Sequence, residues 1–104
     1  MDNVLSQLAA QLPDELNIGQ RASLVNALLN CPSVINKRGD ITSKLSFRHS
    51  IAEDPQPRMH VHSILRTSMD YPGGFVELIQ AIAEHDRHTA EFEELLGCVR
   101  KLSR

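Results

Sequence analysis

The segment Tyr71-Pro72-Gly73-Gly74 constrains the fold of this chain most strongly, because it interrupts an otherwise helical pattern. Proline removes a backbone donor from a helix interior, and glycine adopts backbone conformations that other residues avoid. Apolar residues recur at helical spacing on both sides of this segment. They are Val61, Ile64, Leu65 and Met69 before it, and Phe75, Leu78, Ile79 and Ile82 after it, with Ala83 alongside. The sequence therefore predicts two amphipathic helices, the first over 58–70, joined by a sharp turn that lets them pack closely.

Three further stretches show the same helical spacing. The first covers residues 4–12 and stops at Pro13, the second begins at Asn17 or Gly19 and stops at Cys31-Pro32, and the last follows a Thr89 cap. Their apolar stripes are Val4, Leu5, Leu8, Ala9 and Leu12; Ala22, Val25, Leu28 and Leu29; and Phe92, Leu95, Leu96, Val99 and Leu102.

Residues 33–50 show a weaker pattern, for which we predict two short helices. Ser33 is a suitable N-cap for the first of them. Gly39 and Asp40 break any continuous helix, and Asp40 can cap a second helix over 41–47. We interpret residues 54–57, Asp-Pro-Gln-Pro, as a loop and residues 84–88 as a polar connector.

These elements predict an all-α fold, a compact bundle of five or six short amphipathic helices. The 104 residues suit one domain over 1–104, in which residues 1–17 would add an extra N-terminal helix. Apolar residues make up 41% of the chain and aromatic residues only 4%, so aliphatic side chains should fill the core.

Composition also excludes several partners. The net charge is −2, with 11 basic and 13 acidic residues, so nucleic acid is not an expected partner. No apolar run is long enough for a transmembrane helix, and Met1-Asp2 lacks the positive charge of a signal peptide. We therefore expect no membrane association and a cytoplasmic location. Cys31 and Cys98 are expected as free buried thiols, with a single disulfide as the less favoured alternative.

Residues that could carry chemistry do not form a recognisable site. The two histidines of His60-x-His62 point in different directions on a helix, and neither cysteine has a nucleophile motif around it. No lysine follows Gly73-Gly74 and no strand precedes it, which excludes a P-loop. We expect no catalytic residue, no metal and no cofactor, and hence no enzyme.

A small domain of this kind must act through its surface, and charged residues off the apolar stripes form the candidate interaction surface. The acids at the start of the last helix suit its dipole, as do the basic residues Arg100, Lys101 and Arg104 at its end; the acids could also bind a basic partner. The candidates are Lys37, Arg38, Asp40, Arg58, Arg66, Asp70, Glu77, Glu91 and Glu94.

Three segments together resemble a known family, the type-two effector-associated domain of bacteria. They are residues 24–32, LVNALLNCP; residues 61–67, VHSILRT; and residues 71–82, YPGGFVELIQAI. The resemblance covers roughly residues 20–100, and its most specific part is the YPGG segment with its flanking helices.

This resemblance implies a death-fold-like bundle at the end of a multidomain protein of bacterial conflict or cell-suicide systems. It implies homotypic contacts that bring protease, caspase-like or TIR effectors to sensor NTPases, with self-association as one form. An alternative from a different class is a helical ligand-sensing or regulatory domain, which would need a pocket lined by the histidines or a basic face. A small enzyme is the least supported reading.

Overall fold

The computed structural model describes residues 3–13 and 15–103, and these residues form helices and connecting turns with no strand. Residues 1, 2, 14 and 104, which include Arg104 and the ends of the predicted domain, lie outside the described part. The predicted all-α fold is confirmed. The α-helices are α1 (Asn3–Ala10), α2 (Ile18–Asn30), α3 (Pro32–Asn36), α4 (Arg38–Ser43), α5 (Pro57–Asp70), α6 (Gly74–Asp86) and α7 (Ala90–Leu102), and a 3₁₀ turn covers Arg48–Ser50.

Helix α6 forms the centre of the bundle, packing against α1, α3, α4, α5 and α7. Its side chains at Leu78, Ile79 and Ile82 are almost completely buried, as the helical spacing predicts. Helix α2 packs against α5 and α7 and completes the core, to which Leu24, Leu65 and other aliphatic residues contribute. The described part of the chain contains no helix long and apolar enough to cross a membrane.

The predicted helix starts at Asn17 and Thr89 are confirmed by their capping bonds. The Asn17 side chain accepts from the amide of Gln20 at 2.8 Å, and Gln20 returns a bond to the amide of Asn17, so α2 opens with a capping box. The Thr89 hydroxyl accepts from the amide of Phe92 at 3.1 Å. Helix α1 is shorter than predicted, because its end tightens through a bond from Leu12 to Ala9 just before Pro13.

The boundaries predicted within residues 33–50 are wrong. Cys31 and not Ser33 is the N-cap of α3, because Pro32 occupies the first helical position and Ser33 is already inside the helix. The break between the short helices lies at Lys37, so Asp40 is in the first turn of α4 and does not cap it. Helix α4 ends at Ser43, and a 3₁₀ turn follows Phe47.

The YPGG segment forms a tight turn in which the two glycines have different roles. Gly73 has φ 71° and ψ 5°, the left-handed conformation of the third position of a type II turn, and the amide of Gly74 bonds the carbonyl of Tyr71 at 2.9 Å. Gly74 does not have a positive φ, but there is no space for a side chain at its position. A Cβ there would overlap the backbone carbonyl of Ser68 and lie 3.2 Å from Phe47. Gly74 therefore lets the start of α6 lie directly against the end of α5.

Tyr71 attaches the turn to the 3₁₀ segment. Its ring stacks on Phe47 with centroids 5.4 Å apart, and its hydroxyl lies 2.7 Å from the hydroxyl of Ser50. The ring of Phe47 is buried, whereas Tyr71 is 42% exposed. The turn is thus covered on one side by a short segment that the sequence pattern did not resolve.

The predicted polar connector over 84–88 is wrong for its first half, because α6 continues to Asp86. Asp86 is 3% exposed, and its carboxylate accepts from both the hydroxyl of Ser33 (2.6 Å) and the amide of Ser33 (3.1 Å). The carbonyl of Asp86 also accepts from the amide and hydroxyl of Thr89, the N-cap of α7. One residue therefore connects the end of α6 to the starts of α3 and α7.

Substitutions at Gly73 and Gly74 should separate the two glycine roles. We expect Gly74→Ala to lower the free energy of unfolding by about 3 kcal/mol or more, because the methyl group meets backbone that cannot move aside. Gly73→Ala should cost only about 1 kcal/mol, since it strains φ but meets no neighbour. Urea denaturation of both variants measures this. Gly39→Ala, in open space, is the control, and an equal effect at positions 73 and 74 would contradict the assignment.

Removal of the Asp86 carboxylate should also destabilise the fold. We expect Asp86→Ala to lower the free energy of unfolding by about 2–4 kcal/mol, because it leaves two buried donors of Ser33 without an acceptor. The exposed neighbour His85 provides the control variant His85→Ala, which should change stability little. Thermal denaturation of the two variants decides the question, and an Asp86→Ala protein as stable as His85→Ala would exclude this role.

Candidate interaction surface

The nine predicted surface residues differ in exposure and in their contacts within the domain. Arg38, Arg58 and Glu77 make hydrogen bonds within the domain. Glu91 is only half exposed and lies near enough to Cys31 to affect its pKa. The others are exposed and have no side-chain partner within the described residues: Lys37, Asp40, Arg66, Asp70 and Glu94.

Glu77 holds the segment after α4 against α6. Its two carboxylate oxygens accept from the amide of Ser46 at 3.0 Å and from the hydroxyl of Ser46 at 2.8 Å. The Arg58 guanidinium donates to the amide oxygen of Asn26 at 2.7 Å and joins α5 to α2. Both side chains therefore contribute to the fold, which the sequence pattern could not show because their partners are distant in the chain.

Arg38 is a half-buried residue that joins α4 to α5. Its Nε donates to Nδ1 of His60 at 2.8 Å, and its Nη1 donates to the carbonyl of Val34 at 3.1 Å. Since Arg38 can only donate, Nδ1 of His60 must be unprotonated in this arrangement. Burial and then the Arg38 charge lower the pKa of His60 from 6.5, while Glu53 and Asp54 oppose this shift.

Helix α7 carries exposed charges of opposite sign near its two ends. Glu93 and Glu94 are exposed near its start, and Arg100 and Lys101 are exposed near its end, with Gly97 between them. None of the four charged side chains has a hydrogen bond or ion pair within the described residues. The sequence pattern identified these charges as suited to the helix dipole but did not identify Gly97.

A groove of about 450 Å³ runs between the end of α1 and the YPGG turn. Leu12 and Pro13 form one wall, and Met69, Asp70 and Tyr71 form the other. No histidine lines it. This groove is therefore not the histidine-lined pocket predicted for a ligand-sensing domain.

The cysteines are free thiols in the described structure, Cys31 buried and Cys98 half-buried. Burial, with Asp86 and Glu91 nearby, raises the pKa of Cys31 to about 12, and burial also raises the pKa of Cys98. Neither thiol is therefore activated as a nucleophile. Within residues 3–13 and 15–103, no three His, Cys, Asp or Glu side chains lie close enough together to hold a metal ion.

The sequence model of effector-associated domain 2 matches residues 25–100. The chain belongs to this family. The match runs from the middle of α2 to α7 and includes the YPGG turn, so the resemblance that rests on that turn is confirmed. Helix α1 lies outside the matched range. Neither a comparison with curated proteins nor one with solved structures found a match. Membership of this family supports an effector-associated role for the chain.

The Arg38–His60 bond predicts a pH dependence for this effector-associated domain. His60 takes up a proton near pH 6.5 in the unfolded state but only at a lower pH in the folded state. Between these two pKa values the unfolded state therefore binds more protons than the folded state. The contribution of His60 to the free energy of unfolding should therefore fall as the pH drops from about 6.5 through the folded pKa, and this contribution is constant at lower pH.

NMR titration of the His60 ring measures this pKa directly. We expect Arg38→Met to raise the pKa of His60, because it removes a neighbouring cation and the donor that requires unprotonated Nδ1. Lys37→Met is the matched control, since Lys37 is exposed and loses the same charge without a bond to His60. Equal pKa changes in the two variants would refute the role of the bond.

Proposed function

We propose that this domain is a non-catalytic adaptor that couples effector and sensor proteins by homotypic, death-domain-like contact in bacterial immunity or programmed cell death. Family membership supports an association with effectors. The expected partners carry a like domain: protease, caspase-like or TIR effectors, or NTPase sensors, in the cytoplasm. Self-association is the simplest form of such a contact.

The observation that carries the proposal is the set of exposed charged residues without internal partners. Lys37 and Arg66 are basic, Asp40, Asp70 and Glu94 are acidic, and all five lie on the outside of the bundle. A surface with both signs of charge suits contact with a like surface, because each patch finds the opposite charge on the other molecule. The charges that hold the fold together, such as Glu77, are separate from this set.

Homotypic binding through exposed charges should depend on salt. The screening length is about 10 Å at 0.1 M salt and about 3 Å at 1 M, so exposed ion pairs weaken strongly over this range. We expect the average molar mass from light scattering to rise with protein concentration at low salt and to return to the monomer value at high salt. A pull-down with a second effector-associated domain of the same family extends the test to heterologous partners.

A domain that stays monomeric at every concentration and salt level, and that also binds no chain with a like domain, would refute the proposal. Glu77→Gln is the control variant. It removes a charge that bonds Ser46 within the domain and that is not among the free charges, so any effect of this charge on the fold is measured separately. Circular dichroism must show the same helical content at both salt levels, so that a change in molar mass reports association and not unfolding.

A further inference from the structure

Gly97 lies in the middle of α7, where the fold gives no reason for a glycine. Apart from its chain neighbours and the nearby backbone of its own helix, a Cβ built at this position would meet no atom within 4 Å, so no packing neighbour in the described structure requires the missing side chain. Its φ is not in the left-handed region, unlike that of Gly73. Glycine destabilises a helix interior relative to alanine. A contact made from outside the domain would explain a residue that leaves a notch on an exposed helix.

The charges around this notch are arranged symmetrically. Glu93 and Glu94 lie four and three residues before Gly97, and Arg100 and Lys101 lie three and four residues after it. At 100° per residue, all four positions fall within about 60° of the direction of Gly97, so they share its face of the helix. The residues three and four positions away from each of these four charges do not carry the opposite charge, so the four side chains do not form ion pairs within the helix.

The helix dipole does not account for the whole pattern. Its effect is confined to the first and last turns of a helix. Glu94 is the fifth residue of α7, beyond the first turn. The dipole also has no bearing on Gly97. The order along the helix is acidic pair, Gly97, basic pair. A complementary partner would place basic residues opposite the acidic pair and acidic residues opposite the basic pair.

A second copy of α7, running antiparallel, presents that order. When two antiparallel helices cross at Gly97, a residue that precedes Gly97 in one copy faces the residue that follows Gly97 by the same number of positions in the other copy. The acidic pair of each copy then lies opposite the basic pair of the other. Such a contact is isologous, closes with two-fold symmetry and gives a dimer. The two glycines at the crossing point allow the helix backbones to approach closely.

We propose that the face of α7 formed by the exposed residues Glu93, Glu94, Arg100 and Lys101 around the half-buried Gly97 is a docking surface for the same face of a second copy of this chain. The inference rests on the homotypic binding proposed above and specifies where it occurs. Exposed ion pairs are individually weak, so we expect a dimer that forms at high concentration and dissociates in salt.

Paired charge reversals test this surface. A first variant, Glu93→Lys with Glu94→Lys, makes the face wholly basic, and a second, Arg100→Glu with Lys101→Glu, makes it wholly acidic. We expect each alone to remain monomeric where the natural chain dimerises, because like charges then face each other. A mixture of the two should form a heterodimer, which analytical ultracentrifugation detects by its mass and which should bind at least as tightly as the natural dimer, because basic residues again face acidic ones.

A control variant, Glu15→Lys with Glu53→Lys, changes the net charge as much as the first variant does but at exposed positions outside α7. It should dimerise like the natural chain, and circular dichroism should show every variant folded. A second, charge-neutral variant, Gly97→Gln, fills the notch and should weaken the dimer about tenfold by holding the helices apart, whereas Ala22→Gln on the exposed side of α2 should not.

The outcomes separate the two proposals. If the natural chain self-associates but the α7 variants behave like the control, the α7 surface is refuted and homotypic binding stands. If the oppositely charged variants do not pair in the mixture, the α7 surface is likewise refuted, whatever other like domain the chain binds. A mixture that pairs while each variant alone stays monomeric supports the antiparallel contact.

Discussion

The close approach of α6 to the end of α5 at Gly74 sets the rest of the structure. With no side chain at this position, the first turn of α6 lies against the backbone of Ser68. This contact places α6 in the middle of the bundle, where its apolar side chains meet α1, α3 and α5. A larger residue would displace α6 along its whole length, because a helix moves as a rigid body and the core is closely packed.

The opposite end of α6 is held by a polar contact and not by packing. Asp86 is buried, and its carboxylate is satisfied by Ser33, while its carbonyl binds the capping residue Thr89. Burial of an unsatisfied carboxylate would destabilise the fold strongly, so this geometry also specifies where α3 must begin. The two ends of α6 thus position α5, α3 and α7. On the outer faces, Arg38, Arg58 and Glu77 and the ion pair between Lys44 and Glu84 also join separate parts of the fold.

The parts that local patterns determine could be predicted from the sequence. The stripes of α5, α6 and α7 and the caps Asn17 and Thr89 depend on residues within one or two turns of each other. The parts that failed depend on distant residues. Asp86 looks like a connector residue until Ser33, 53 positions away, is placed beside it. For the same reason the candidate surface could be identified only as a list of charges, some of which proved to have partners inside the domain.

Three glycines show how structure separates roles that are identical in sequence. Gly73 is required by its backbone conformation and Gly74 by a neighbouring carbonyl, so the fold accounts for both. Gly97 has neither constraint, although it destabilises its own helix. A residue that the isolated domain does not need is informative about contacts outside it. The fold therefore explains the glycines of the YPGG turn, whereas Gly97 and the free charges around it are the observations on which the proposed α7 contact rests.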